Sequence, residues 1–271
     1  MKDENLIRKM LLALSLKVDG DYELMFQLLI TYQFPSLEEI EEAESKIKCR
    51  YITYIDEDYP TCLKQVYHPP MVLYYYGDLS LLGQEEKSIA VVGSRDASDM
   101  GINRTMELVH ELSSEYIIVS GLARGIDTAA HIATLQSKGK TIAVLGCGID
   151  YCYPEENKDL YKIIKKKGLV VSEYPNETQP LQDHFPKRNR IIAALAKGIL
   201  ITEAKRKSGT LITVNWAQSM TKEIMCVPYR VEDDSGTNQL IKEGAYMVED
   251  ADDVRLVMDG TKNVKKTLMY P

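Results

Sequence analysis

Two hydrophobic rhythms divide the chain. Up to about residue 49 the apolar positions recur at helical spacing: Leu6, Met10 and Leu14, then Leu24, Leu28 and Leu29, with Asp19-Gly20-Asp21 as a break between them. Ser36 followed by Glu39 reads as a capping box opening a third helix. From residue 88 the rhythm becomes short, wholly apolar runs. These are Ser88–Val92, Tyr116–Ser120, Thr141–Leu145, Leu169–Val171, Gly198–Thr202 and Ile224–Val227, most separated by helical stretches. Runs apolar on both faces are strands of a parallel sheet covered on both sides. The expected architecture is α/β: a Rossmann-like, doubly wound, mostly parallel sheet preceded by a small helical domain. The division expected is 1–49 helical, 50–260 sheet domain and 261–271 tail.

Between the two lies a Tyr- and Pro-rich segment, residues 50–85. Pro69-Pro70 breaks any helix there, and Met71 to Tyr76 is β-prone. Its tyrosines suit either packing at a domain junction or stacking on bases, and packing is the simpler reading.

Charge changes the picture in two places. The chain of 271 residues carries a net charge of −7, which excludes a uniformly basic nucleic-acid coat. The first 49 residues hold ten acids against six bases, so the helical domain is acidic. Phe185 to Thr210 reverses this, with seven bases (Lys187, Arg188, Arg190, Lys197, Lys205, Arg206, Lys207) against Glu203 alone. Five cysteines, an odd number without a C-x-x-C pair, fit reduced thiols in a cytoplasmic protein. No run approaches the ~18 apolar residues of a membrane span, so no membrane insertion is expected.

Ligands of open parallel sheets bind beyond the carboxyl ends of the strands. There the sequence places Gly93-Ser94-Arg95, then Ser120-Gly121-Leu122-Ala123-Arg124-Gly125-Ile126-Asp127, then Gly146-Cys147-Gly148. Ser172-Glu173-Tyr174-Pro175 leads into Phe185-Pro186-Lys187-Arg188-Asn189-Arg190, and Ser208-Gly209-Thr210 opens a helix. Glycines admit backbone N–H groups to a phosphate, and helix N-termini add positive potential. None of these turns is a complete dinucleotide fingerprint, and no Walker sequence exists. Several in register, beside a basic run with Tyr174 and Phe185, form an anion groove with stacking rings, as single-stranded nucleic acid requires.

Catalysis finds little support. His68, His110, His131 and His184 are scattered, and a structural role suits His131 better than that of a base. Cys147 and Cys152 lack a histidine pair, so neither a metal nor a cofactor is expected. Glu173 and Glu203 end neighbouring strands, so an acid/base pair hydrolysing a nucleoside monophosphate is the alternative; anchoring of arginine or backbone donors is the plainer role. A scaffold acting through its acidic helical domain is a third, weaker reading.

Together these motifs carry a resemblance. To those above add Ala129-Ala130-His131, Tyr153-Pro154, Gly236-Thr237-Asn238 with Gly244-Ala245, and upstream Asp58-Tyr59-Pro60 and Pro69-Pro70. Over about residues 52–248 the chain resembles the DprA/Smf family, the DNA-processing proteins of natural transformation. The resemblance implies an extended Rossmann fold, often after a helical SAM-like domain. It also implies a non-catalytic protein that binds single-stranded DNA, forms a homodimer and loads the RecA recombinase on incoming DNA.

By the same resemblance Arg95 and Lys187 contact DNA phosphates. The expected DNA-binding set is Gly93, Ser94, Arg95, Gly121, Arg124, Gly125, Phe185, Lys187, Arg188, Asn189, Arg190, Ser208, Gly209 and Thr210. Helical spacing puts Lys187 and Arg190 on one face and Arg188 elsewhere, leaving open which arginine meets DNA. Arg95 and Lys187 are expected along one rim of the sheet. Leu240, Ile241, Met247 and Val248 are candidates for a subunit contact, with core packing the simpler alternative. The acidic residues over 249–253 are candidates to face a partner. Two departures stand out: Tyr229 follows Pro228 where members often have Gly, and with the chain ending at Pro271 the winged-helix domain many members carry is not expected.

Overall fold

The computed structural model describes residues 2–230 and 233–260; the expected tail, 261–271, lies outside the described residues. Three helices come first: α1 (Lys2–Lys17), α2 (Tyr22–Ile30) and α3 (Leu37–Glu42). Asp21 caps α2 by accepting the Leu24 N–H, and Ser36 and Glu39 close the capping box of α3. Leu12, Leu14, Met25 and Ile40 bury their side chains against Tyr51 and Tyr74. The Tyr74 hydroxyl pairs with Ser15 at 2.9 Å.

The rest of the chain alternates. In order come β1 (Arg50–Thr53), α4 (Thr61–Lys64), β2 (Val72–Gly77), β3 (Ser88–Val92), α5 (Asp99–Leu112), β4 (Ile117–Ser120), α6 (Ile126–Gln136) and β5 (Thr141–Leu145). Then follow α7 (Lys158–Lys167), β6 (Leu169–Ser172), α8 (His184–Ala194), β7 (Gly198–Ile201) and α9 (Thr210–Ser219). The last elements are β8 (Glu223–Cys226), α10 (Gly236–Lys242), β9 (Tyr246–Met247) and α11 (Ala251–Met258).

One nine-stranded sheet results, in the order β1-β2-β6-β5-β4-β3-β7-β8-β9. The seven strands from β6 to β9 are parallel, while β1 and β2 form an antiparallel edge against β6. Ala90, Val92, Ile199 and Ile201 face α8 and α9, whose Ile191 and Val214 share their core. Ile89, Val91 and Leu200 face α5, α6 and α11. From β3 the chain winds outward through β4, β5 and β6, then returns so that β7 pairs with the other side of β3. The connections diverge there, opening a crevice beyond the carboxyl ends of β3 and β7.

The tyrosine-rich segment is mostly packing material. Tyr51, Tyr59, Tyr74 and Tyr75 are buried, with the Tyr59 hydroxyl donating to the Pro70 carbonyl at 2.6 Å. The acidic stretch after β9 is used locally: Asp250 caps α11, Asp253 accepts the Glu249 N–H, and Asp252 pairs with Arg255.

Candidate nucleic-acid interface

The crevice holds a groove of about 740 Å³. Gly93, Ser94 and Arg95 enter it from the end of β3, Phe185, Arg188 and Asn189 from α8, and Ser208, Gly209 and Thr210 from the start of α9. Among the described residues the α9 N-terminus has no side-chain cap, and the buried Ser208 hydroxyl has no hydrogen-bond partner. The helix dipole gives this end of the groove positive potential. The Arg95 guanidinium lies over the Phe185 ring, 5.1 Å from its centroid, and is exposed. Among the described residues it has no carboxylate partner within salt-bridge distance. Tyr153 leans on Phe185 with centroids 5.6 Å apart. Lys205 adds a second exposed cation, loosely held by Asp96 at 3.6 Å. Exposed cations beside an aromatic platform can take a phosphate and a stacked base from one strand.

Several expected contacts do other work. Arg188 touches the groove floor but is 3 % exposed; it donates to the carbonyls of Gly121 (2.6 Å) and Val144 and faces the charge of Asp127. Burial pushes its pKa down to about 10, with Asp127 opposing, so it stays charged at neutral pH. Arg190 is also buried, bound to both Glu173 oxygens and to the His68 carbonyl, and does not line the groove. These two arginines brace α8 from inside. Gly121 gives its N–H to Asp127 at 3.1 Å and packs against the Arg188 guanidinium, so it cradles no phosphate. Gly125 adopts φ 70° at the α6 start, where any side chain would strike the Ser94 carbonyl. Arg124 pairs with Glu156 outside the groove.

Lys187 stands apart from the groove. It is exposed, yet it opens on the opposite side of α8 from Arg95, into a second cavity shared with the helical domain. Asp21 holds it at 3.2 Å and Asp183 at 3.5 Å. Partial burial works against its charge, but these carboxylates raise its pKa above the usual lysine value. Arg95 and Lys187 therefore do not flank one groove; the first turn of α8 separates them.

The carboxylates suggested as an acid/base pair are engaged. Glu173 is tied to Arg190, and Glu203 accepts from the Ser98 N–H and hydroxyl and from the Tyr229 hydroxyl at 3.2 Å. His131 is fully buried, paired with Thr141, and burial pushes its pKa down to about 3. Of the aliphatic residues offered for a subunit contact, Leu240 and Val248 belong to the core; Met247 is exposed on edge strand β9. Among the described residues no cluster of metal-ligating side chains occurs, and no helix is long and apolar enough to cross a membrane.

Residues 50–259 match the family described as DNA recombination-mediator protein A. The DNA processing protein DprA of Streptococcus pneumoniae is 46% identical over 202 residues, covering 74% of this chain and 71% of its own. That of Bacillus subtilis is 37% identical over 224 residues, or 82% and 75%. The chain belongs to the DNA recombination-mediator protein A family. Two solved members of the family share its architecture. The S. pneumoniae protein superposes with a TM-score of 0.77 at 41% identity, covering 86% of this chain and 79% of that one. The Helicobacter pylori DNA processing protein A, studied for its single-stranded DNA binding mode, gives 0.70 at 30% identity over 78% and 98%. Sequence reasoning missed Tyr153, Gln182 and Lys205 as parts of this family member's groove. Lys205, inside the basic run, and Tyr153, in the Tyr153-Pro154 motif, carried a signal; Gln182 carried none.

Proposed function

We propose that this chain is a non-catalytic recombination mediator that binds single-stranded DNA in the crevice between β3 and β7. It protects incoming DNA there and loads the RecA recombinase during natural transformation, acting in the cytoplasm as a homodimer. The observation that carries this is the groove itself: exposed Arg95 over Phe185, with Lys205 and the start of α9 lining the same crevice. Family membership supports the recombination role, and the single-strand binding of the H. pylori relative supports the choice of ligand. The contacting residues proposed are Gly93, Ser94, Arg95, Phe185, Asn189, Ser208, Gly209 and Thr210, with Lys205 added. RecA and the second copy follow from the family resemblance, and residues 1–49 are proposed as a separate unit docked on the sheet domain.

The test is a titration of labelled oligo-dT beside a duplex of equal length, followed by RecA nucleation on the coated strand. Strong preference for the single strand and faster nucleation are expected. Equal affinity for duplex, or base release from nucleoside monophosphates, would overturn the reading.

A further inference from the structure

The cavity on the far side of α8, about 220 Å³, lies between the α1–α2 turn and the sheet domain. Aromatic rings dominate its walls: Tyr22, Tyr67, His68, Tyr174 and Trp216. Three form a ladder. Tyr22 stacks on His68 with centroids 4.5 Å apart, and His68 on Tyr67 at 3.8 Å. Tyr67 ends the ladder and is 67 % exposed. Tyr174 is only 3 % exposed, yet among the described residues its hydroxyl finds no hydrogen-bond partner, and a buried polar group in that state marks a place for a ligand.

The charges around the cavity are compensated. Arg190 is paired with Glu173 and Lys187 with Asp21, while Glu23 sits 3.8 Å from His68. A bare anion therefore finds no free cation in the walls; only the exposed Lys187, by exchanging its carboxylate partners, can take a phosphate at the rim. A planar, uncharged heterocycle finds stacking faces, an unused hydroxyl and, at the rim, an exposed lysine. The volume is below the ~300–1,000 Å³ of drug-sized ligand sites, which suits a single ring system.

The α8 helix connects this cavity to the groove. Phe185, Pro186, Arg188 and Asn189 line the groove, while Lys187 and Arg190 line the cavity. We propose that the cavity is a nucleobase pocket: a strand leaving the groove crosses the first turn of α8, gives a phosphate to Lys187 and places the next base against Tyr67, the exposed end of the ladder, and Trp216. This rests on the reading of the chain as a single-strand binder. Crossing a helix ~10–12 Å wide takes additional nucleotides, so the pocket is reached only by a strand that overhangs the groove.

Trp216 is the only tryptophan of the chain and reports on the cavity directly. Oligo-dT of increasing length is titrated into the full chain while label anisotropy and Trp216 emission are both read. Emission is expected to be quenched only once the oligonucleotide exceeds the groove length. Tyr67→Ala is expected to bind long oligonucleotides about tenfold more weakly, since stacking is worth ~1–3 kcal/mol per base. The same variant should bind short ones as wild type does, and Tyr67→Phe should restore the long ones. Normal binding at every length by Tyr67→Ala, with Trp216 emission unmoved, would overturn the pocket while leaving the groove intact. No anisotropy change with any oligonucleotide would overturn the single-strand reading and the pocket with it.

Discussion

Replacing Arg188 with methionine removes a charge from the interior, and the loss falls on folding. Methionine keeps much of the aliphatic volume. It leaves the carbonyls of Gly121 and Val144 without their donor and Asp127, only 6 % exposed, without its counter-charge. Removing one partner of a buried pair costs ~3–5 kcal/mol. A chain of this size has a urea m-value near the top of the ~1–3 kcal/mol/M range, so the unfolding midpoint falls by about 1–1.7 M. Burial already raises the Asp127 pKa, opposed by Arg188. Without the guanidinium it rises further, so the folded variant binds a proton that the unfolded chain does not, and its deficit shrinks as pH is lowered. The assay is urea unfolding followed by Trp216 emission at two pH values. An unchanged midpoint with oligonucleotide binding lost would refute the reasoning, because it would make Arg188 a DNA contact.

Other outcomes follow from the same geometry. Asp21→Asn keeps the α2 cap but removes one of the two carboxylates on Lys187, an exposed ion pair worth ~0.2–1 kcal/mol, leaving Asp183 at 3.5 Å, so affinity for long oligo-dT should rise by up to about fivefold; weaker binding by anisotropy would count against the contact. Phe185→Ala removes a stacking platform and should cost ~1–3 kcal/mol of binding without changing its salt dependence, since no charge is lost; a flatter salt plot would contradict this. His131 has a folded pKa near 3 against 6.5 unfolded, so the unfolded chain binds the extra proton between these values. Its contribution to stability is complete above pH 6.5 and is lost by about 1.4 kcal/mol per unit as pH falls toward 3. In urea titrations at pH 7 and pH 5, His131→Leu should lose less stability on acidification than wild type.

Much of the fold was legible because the central strands are apolar on both faces and end in glycine or acid. The antiparallel edge was harder. Tyr51, Tyr74 and Tyr75 are core residues, but a tyrosine run reads equally well as a stacking surface. β9 is only two residues long and leaves no periodicity. Within the site, helical spacing correctly set Arg188 apart from Lys187 and Arg190. It gave no hint that both arginines are internal, because the carboxylates that face them come from the residue after β6 and from α6. Nor does local sequence show that the partner of Lys187 lies 166 residues away in the helical region. Glycine turns suggested phosphate cradles, yet Gly121 and Gly125 are glycines because another group packs where a side chain would be.

The most direct test of the account is the salt dependence of oligo-dT binding for wild type and for Arg95→Ala/Lys205→Ala. Each single-strand phosphate contact contributes ~0.7 to the slope of log K against log salt, so the double variant should lose about 1.4 from that slope along with affinity. Its urea midpoint should match wild type, because both side chains are exposed. An unchanged slope and affinity would contradict a strand lying across the groove between β3 and β7.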